Sequence, residues 1–188
     1  MDKLTDLEII ESILRGNQSD FNLIIDRYKN RAFSLLRRIL NNDLDAEEVL
    51  QDSFVKVYFG LKNFRKDSKF STWLYRIVYN CAMTKLSSKT RKIEMSTISI
   101  DDGIHLEIAS QNLDGDSGSF SEVLTLLVEK LPPKYSAVID LFYKEELNCE
   151  EISNITGESV SNVKVLLHRA RNMLKELIEK NNLKKELL

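Results

Sequence analysis

From Phe21 to Ile39, apolar side chains recur at Phe21, Ile24, Ile25, Tyr28, Ala32, Leu35, Leu36 and Ile39. Steps of three and four lay one stripe along an α-helix and do not fit the two-residue alternation of a strand. The period returns in Val49, Leu50, Ser53, Phe54, Val57 and Tyr58, again in Leu74, Ile77, Val78, Cys81 and Ala82, and in Leu124, Leu127, Val128 and Leu131. Only six Gly and two Pro interrupt 188 residues, so little of the chain is barred from helix. An all-α fold is expected.

The spacing predicts a weaker helix between Thr5 and Arg15 and a break at Asn41 to Leu44. Asp45 is then expected to cap the next helix, with Glu48 three residues on, and Gly60 to end it. A third helix is expected from Thr72 into Ser87-Ser88. After Phe120 come one helix stopped by Pro132-Pro133, another from Tyr135 to Tyr143, a short one from Cys149 to Ile155, a turn at Gly157 and a last helix from Ser161 to about Lys180. Between them, residues 96–120 carry five acids, no base and the run Asp114-Gly115-Asp116-Ser117-Gly118-Ser119. This reads as an acidic flexible linker, with Ile98, Ile100, Ile104, Leu106 and Ile108 suggesting a short extended piece. The expected organisation is two small helical domains, 1–95 and 121–188, joined by that linker.

The net charge of −2 conceals a strong division. Asp43 to Asp52 hold five acids and no base, whereas Lys56 to Lys92 hold ten bases and one acid, Asp67. Local clustering, not the total, sets the field a partner meets. Cys81 and Cys149 have no CxxC spacing, and His105 and His168 stand alone. Neither a disulfide scaffold nor a local zinc site is expected. No run of about 18 apolar residues exists to span a membrane, and charges interrupt the N-terminus where a signal peptide would be apolar. A reduced, cytosolic, soluble protein is the expectation.

Three segments carry chemistry. Glu150 to Val163 has helix-turn-helix anatomy. The second helix turns Val160, Val163, Leu166, Leu167, Ala170, Met173, Leu174 and Leu177 to one side, and Ser161, Lys164, Val165, His168, Arg169, Arg171 and Lys175 to the other. That outer face has no acid. Lys164 and Arg169 suit guanine edges and Arg171 suits phosphate, although a solvated amphipathic helix has the same pattern. In Phe64-Arg65-Lys66-Asp67-Ser68-Lys69-Phe70-Ser71-Thr72-Trp73-Leu74-Tyr75-Arg76, aromatics interleave with bases, and Trp73, Arg76, Asn80 and Thr84 share a helical face. Rings beside a basic groove take unstacked bases, yet the same rings also make cores. Asp45-Ala46-Glu47-Glu48-Val49-Leu50-Gln51-Asp52-Ser53-Phe54 could serve acid–base chemistry, a docking partner or only solvation. Nothing elsewhere completes a catalytic or metal constellation, so no catalytic residue, metal or cofactor is expected. On the residues alone, a stand-alone helix-turn-helix regulator and a helical adaptor remain rivals.

Taken together and in this order, the three segments resemble an extracytoplasmic-function (ECF) sigma factor of the sigma-70 family, group 4, over roughly Phe21 to Leu177. The acidic segment is similar to region 2.2, the aromatic–basic segment to regions 2.3 and 2.4, and Leu131-Pro132-Pro133-Lys134-Tyr135 with the helix-turn-helix to region 4. The resemblance implies a non-catalytic promoter-specificity subunit of RNA polymerase. Its partners would be the β′ clamp and β flap of the core enzyme, promoter DNA both duplex and melted, and an anti-sigma factor. The protein would be cytoplasmic without membrane insertion of its own, or held at the membrane by the anti-sigma factor.

Residue by residue, the resemblance implies core binding by Asp45, Glu48, Gln51, Asp52 and Phe54. It implies minus-ten recognition by Phe64, Arg65, Lys66, Asp67, Ser68, Lys69, Phe70, Trp73, Arg76 and Asn80, with the 64–70 loop taking a flipped base. It implies minus-35 recognition by Ser161, Asn162, Lys164, Val165, His168, Arg169 and Arg171. Two positions depart from the family pattern. Lys66 stands where the loop often has Gly, and Val165, where the helix often has Ser, suits a thymine methyl.

Overall fold

The computed structural model describes residues 4–96 and 120–180, which form eight α-helices and two short 3-10 turns with no strand among them. The linker expectation, including the extended piece, falls mainly on 97–119, outside the described residues.

Helix α1 (Asp6–Leu14) opens on a capping box. Thr5 accepts from the Glu8 amide, and the Glu8 carboxylate accepts from the Thr5 amide at 2.7 Å. Helix α2 (Phe21–Leu40) buries the stripe of Ile24, Tyr28, Ala32, Leu35, Leu36 and Ile39. It ends at Asn41, whose φ of 48° is the left-handed conformation that Asn tolerates well.

Helix α3 (Asp43–Gly60) starts two residues before the expected Asp45 cap. Asn42 is the cap, and its Oδ1 accepts from the Asp45 amide at 2.9 Å. Asp45 instead joins Asp43 in the first turn, where a negative charge meets the positive end of the helix dipole. Helix α4 (Phe70–Ser96) begins before Thr72 and passes through Ser87-Ser88 without a break. Thr84, Ser87 and Thr90 hydroxyls donate to the carbonyls of Asn80, Met83 and Leu86, four residues back. Bonding of this kind keeps a hydroxyl within a helix, so these residues do not end it.

The second half holds α5 (Phe120–Glu129), α6 (Pro133–Tyr143), α7 (Cys149–Thr156) and α8 (Val160–Lys180). Pro133 occupies the first turn of α6, where its missing N–H costs nothing. Asn148 and Glu151 form a second capping box on α7, and Gly157 takes φ 75° to turn the chain into α8. Ile152, Ile155, Val163, Leu167 and Ala170 interlock at this turn, each almost wholly buried. Each large member contributes about 1.5–3 kcal/mol relative to exposure.

Helices α2, α3 and α4 pack together, as do α6, α7 and α8. The halves are not separate: α2 packs on α6 and α4 on α7, making one continuous buried core. Polar groups also cross the seam. Arg38 and Asp140, 5% and 1% exposed, form an ion pair with Nε–Oδ1 3.1 Å. The Tyr75 hydroxyl donates to Glu145, and Lys69 pairs with Glu151 at 2.9 Å.

Candidate nucleic-acid interface

The aromatic–basic segment divides by burial. Phe64 and Phe70 are buried and Trp73 half-buried, with ring centroids 5.3–5.7 Å apart. These three rings form a wedge beneath the loop. Gly60 ends α3 against it: a Cβ there would lie 3.1 Å from Trp73 Cζ2 and Cη2. Above the wedge, Arg65, Lys66, Asp67 and Lys69 are exposed and Ser68 half-exposed. Lys66 has φ 60°, so the position where glycine is usual in the resemblance is a left-handed one in this chain. Its ammonium reaches Glu11 Oε1 at 2.7 Å. That contact holds the exposed Glu11 carboxyl below its ordinary range, chiefly through the hydrogen bond. Arg76 and Asn80 are exposed on the α4 face that Trp73 edges. The structure therefore brings the minus-ten candidates together as a buried aromatic base, a charged loop and one helix face.

On α8, Ser161, Lys164, Val165, His168 and Arg169 are all exposed. Among the described residues neither Lys164 nor Arg169 is in an ion pair, so both charges face outward. The Ser159 hydroxyl accepts from the Asn162 amide at 3.2 Å and starts the helix. Asn162 is half-buried, donating to Glu158 Oε2 at 2.7 Å. His168 Nε2 lies 3.2 Å from the Asn172 amide nitrogen. Arg171 is held toward α6: its guanidinium lies 5.5 and 5.6 Å from the Phe142 and Tyr143 ring centroids, and Nε donates to the Tyr143 hydroxyl at 2.9 Å.

The acidic segment places its residues unequally. Gln51 and Asp52 are exposed. Glu48 is exposed but paired with Lys85, and Asp45 pairs with both Lys85 and Lys89. The Lys89 hydrogen bond leads in holding the Asp45 carboxyl low. Phe54, expected at a docking face, is instead buried and meets Phe21 edge-on at 6.3 Å. In this form it belongs to the core, because it lies on the inward side of α3 near Ser53 and Val57. Sequence reasoning missed Leu44, Val55 and Phe59, which are 78%, 55% and 67% exposed. At 100° per residue they project with Glu48, Gln51 and Asp52, opposite Ala46, Val49, Ser53 and Val57. An exposed apolar patch rimmed by acids is a candidate for a protein-binding surface.

Other chemistry is sparse. Among the described residues no group of three or more His, Cys, Asp or Glu could hold a metal, and no helix is long and apolar enough to cross a membrane. A cleft of about 620 Å³ between α5, α6 and α8 is lined by Leu124, Val128, Ile139 and Leu174, with Arg38 and Asp140 also on its wall.

A family model described as Sigma-70 region 2 matches residues 24–92, and one described as Sigma-70, region 4 matches 121–174. The chain is 32% identical over 179 residues to the ECF RNA polymerase sigma factor SigW of Bacillus subtilis, covering 89% of this chain and 93% of that protein. It is 30% identical over 185 residues to the ECF RNA polymerase sigma-E factor of Haemophilus influenzae, covering 95% and 97%. Its fold is similar to CnrH in complex with the cytosolic domain of CnrY, with TM-score 0.64 and 21% identity over 92% of this chain and 96% of that one. It is also similar to the sigma factor RpoE in complex with the anti-sigma factor NepR from Bartonella quintana, with TM-score 0.67 and 20% identity over 85% and 97%.

Proposed function

The chain belongs to the ECF RNA polymerase sigma factors, the promoter-specificity subunits of bacterial RNA polymerase, and we propose that it selects promoters through the two surfaces above. The N-terminal region would read and open the minus-ten element. Arg65 and Lys69 meet phosphate, and a flipped base is taken at the 64–70 loop over the Phe64–Phe70–Trp73 wedge. Base capture in a pocket offsets unpairing, which costs a few kcal/mol. The front of α8 would read the minus-35 element through Lys164, Val165, His168 and Arg169.

The exposed face of α3, with Gln51 and Asp52 beside Leu44, Val55 and Phe59, is the proposed dock for the core enzyme. The supporting logic is physical: exposed apolar area needs a partner, and the acids select a basic one. No catalytic group of its own is required, since the polymerase makes the RNA. Control by an anti-sigma factor is supported by the complex in which the similar RpoE was solved. The protein would then act in the cytoplasm, on the polymerase there, or be retained at the membrane by that factor.

The observation that carries the DNA reading is the acid-free, exposed face of α8, with Lys164 and Arg169 outside any ion pair among the described residues. Its test is competition binding of the holoenzyme to promoters varied at the minus-35 element. Lys164→Ala and Arg169→Ala should each lose about 1–3 kcal/mol of discrimination. Unchanged discrimination in both variants would remove α8 as the reader.

A further inference from the structure

We propose that Glu11 of α1 is a positioning residue for minus-ten selection: it engages the Lys66 ammonium, pins the left-handed turn of the 64–70 loop and keeps that charge off the DNA backbone. The inference deepens the promoter reading above and rests on it. Lys66 has φ 60°, a conformation in which an L side chain crowds the following carbonyl and which Gly adopts without that cost. A lysine at this position needs a hold from outside its own backbone. The side chain supplies one, because Nζ lies 2.7 Å from Glu11 Oε1 and the contact joins residues 55 apart in sequence.

The anchor behind Glu11 is firm. Helix α1 buries Ile9, Ile10 and Ile13. Its first turn is tied to α2 through Asp6, which accepts from Arg27 and from the Tyr28 hydroxyl. Near its end the Ser12 hydroxyl donates to Asp20 at 2.5 Å. The helix also packs on the short turn Leu61–Asn63, which leads straight into the loop. Glu11 is thus fixed relative to Phe64, and its carboxylate sets where Lys66 can sit. Charge gives the contact a second consequence. The loop carries three bases and one acid. Lys66 is held by Glu11 and Lys69 by Glu151, so among the described residues Arg65 is the loop base outside any ion pair. Phosphate attracts a free ammonium whatever the sequence, whereas contacts to bases specify it. A released Lys66 would add affinity for any strand while its turn loosened. Glu11 therefore acts on discrimination more than on affinity. Both partners are about half exposed, so the effect is a few-fold one.

The experiment uses holoenzyme assembled from purified core RNA polymerase and the full-length protein, bound to a pool of short single-stranded DNAs of random sequence. Wild type, Glu11→Gln, Lys66→Gly and the double variant are compared by sequencing the bound fraction and by titrating the pool at several salt concentrations. Wild type should enrich a shared sequence. Glu11→Gln should lower that enrichment about two- to fivefold. It should also steepen the slope of log affinity against log salt by about 0.7, the value of one added phosphate contact on a single strand. In the Lys66→Gly background Glu11→Gln should change neither quantity, because Gly holds the turn unaided and carries no ammonium. Glu11→Gln with wild-type enrichment and salt slope would overturn the inference. So would equal losses in both backgrounds together with a lowered melting temperature, the signature of a residue that merely stabilises α1. A wild-type holoenzyme that enriches no sequence would overturn the minus-ten reading itself, and the inference with it.

Discussion

A methyl group at position 60 should press on the aromatic wedge. Gly60 has φ −81°, an ordinary helical value, so the glycine is there for space rather than for conformational freedom. A Cβ would lie 3.1 Å from two Trp73 ring carbons, against about 3.5–4.0 Å for a relaxed carbon contact. The ring must yield by a few tenths of an ångström. Phe64 and Phe70 block its inward path, so it yields toward solvent. Overpacking of this kind costs about 1–3 kcal/mol. Replacing Gly by Ala in a helix returns up to about 1 kcal/mol. Gly60→Ala should therefore destabilise by roughly 0–2 kcal/mol. In a Trp73→Ala background the clash is gone, and the same substitution should be neutral or stabilising. Urea unfolding of the four proteins reads the coupling directly. With Trp73 displaced, open-complex yield on duplex promoter should also fall, while minus-35 discrimination stays intact. Strict additivity in the unfolding cycle would refute the wedge as described.

Two further outcomes follow from the same geometry. Gln51→Ala with Asp52→Ala should weaken core-enzyme affinity in a fluorescence titration without changing thermal stability, since both side chains are exposed; unchanged affinity would remove this face as the dock. Phe59→Ser should act likewise, whereas Phe54→Ala should chiefly cost stability, about 3–5 kcal/mol as for a buried Phe.

The stripes that make α2, α3 and α8 were readable because each helix buries one face and the period is 3.6. The turn at Gly157 was readable because few residues other than Gly adopt its φ cheaply. Helix ends were less legible. Asn42 and Asp45 are both good caps by type, and only the observed hydrogen bond decides between them. Ser87-Ser88 looked like a stop because isolated hydroxyls favour non-helical partners, yet Ser87 bonds back to Met83. The exposed face of α3 was misread at Phe54, which is buried, and at Leu44, Val55 and Phe59, which are exposed, because all four are simply apolar in a linear reading. The seam between halves was invisible, because Arg38, Asp140, Tyr75 and Glu145 read as solvent-facing or ordinary core residues until the fold places them opposite one another. Lys66 gave no sign of its left-handed backbone, a property of the loop rather than of lysine.

Run-off transcription tests the central claim most directly: purified core RNA polymerase on fragmented genomic DNA of the source bacterium, with and without this protein. New discrete transcripts that require the protein, with starts aligning on two shared upstream elements, are the predicted result. No protein-dependent transcripts, together with sequence-specific DNA binding by the protein alone, would contradict it and point to a stand-alone regulator.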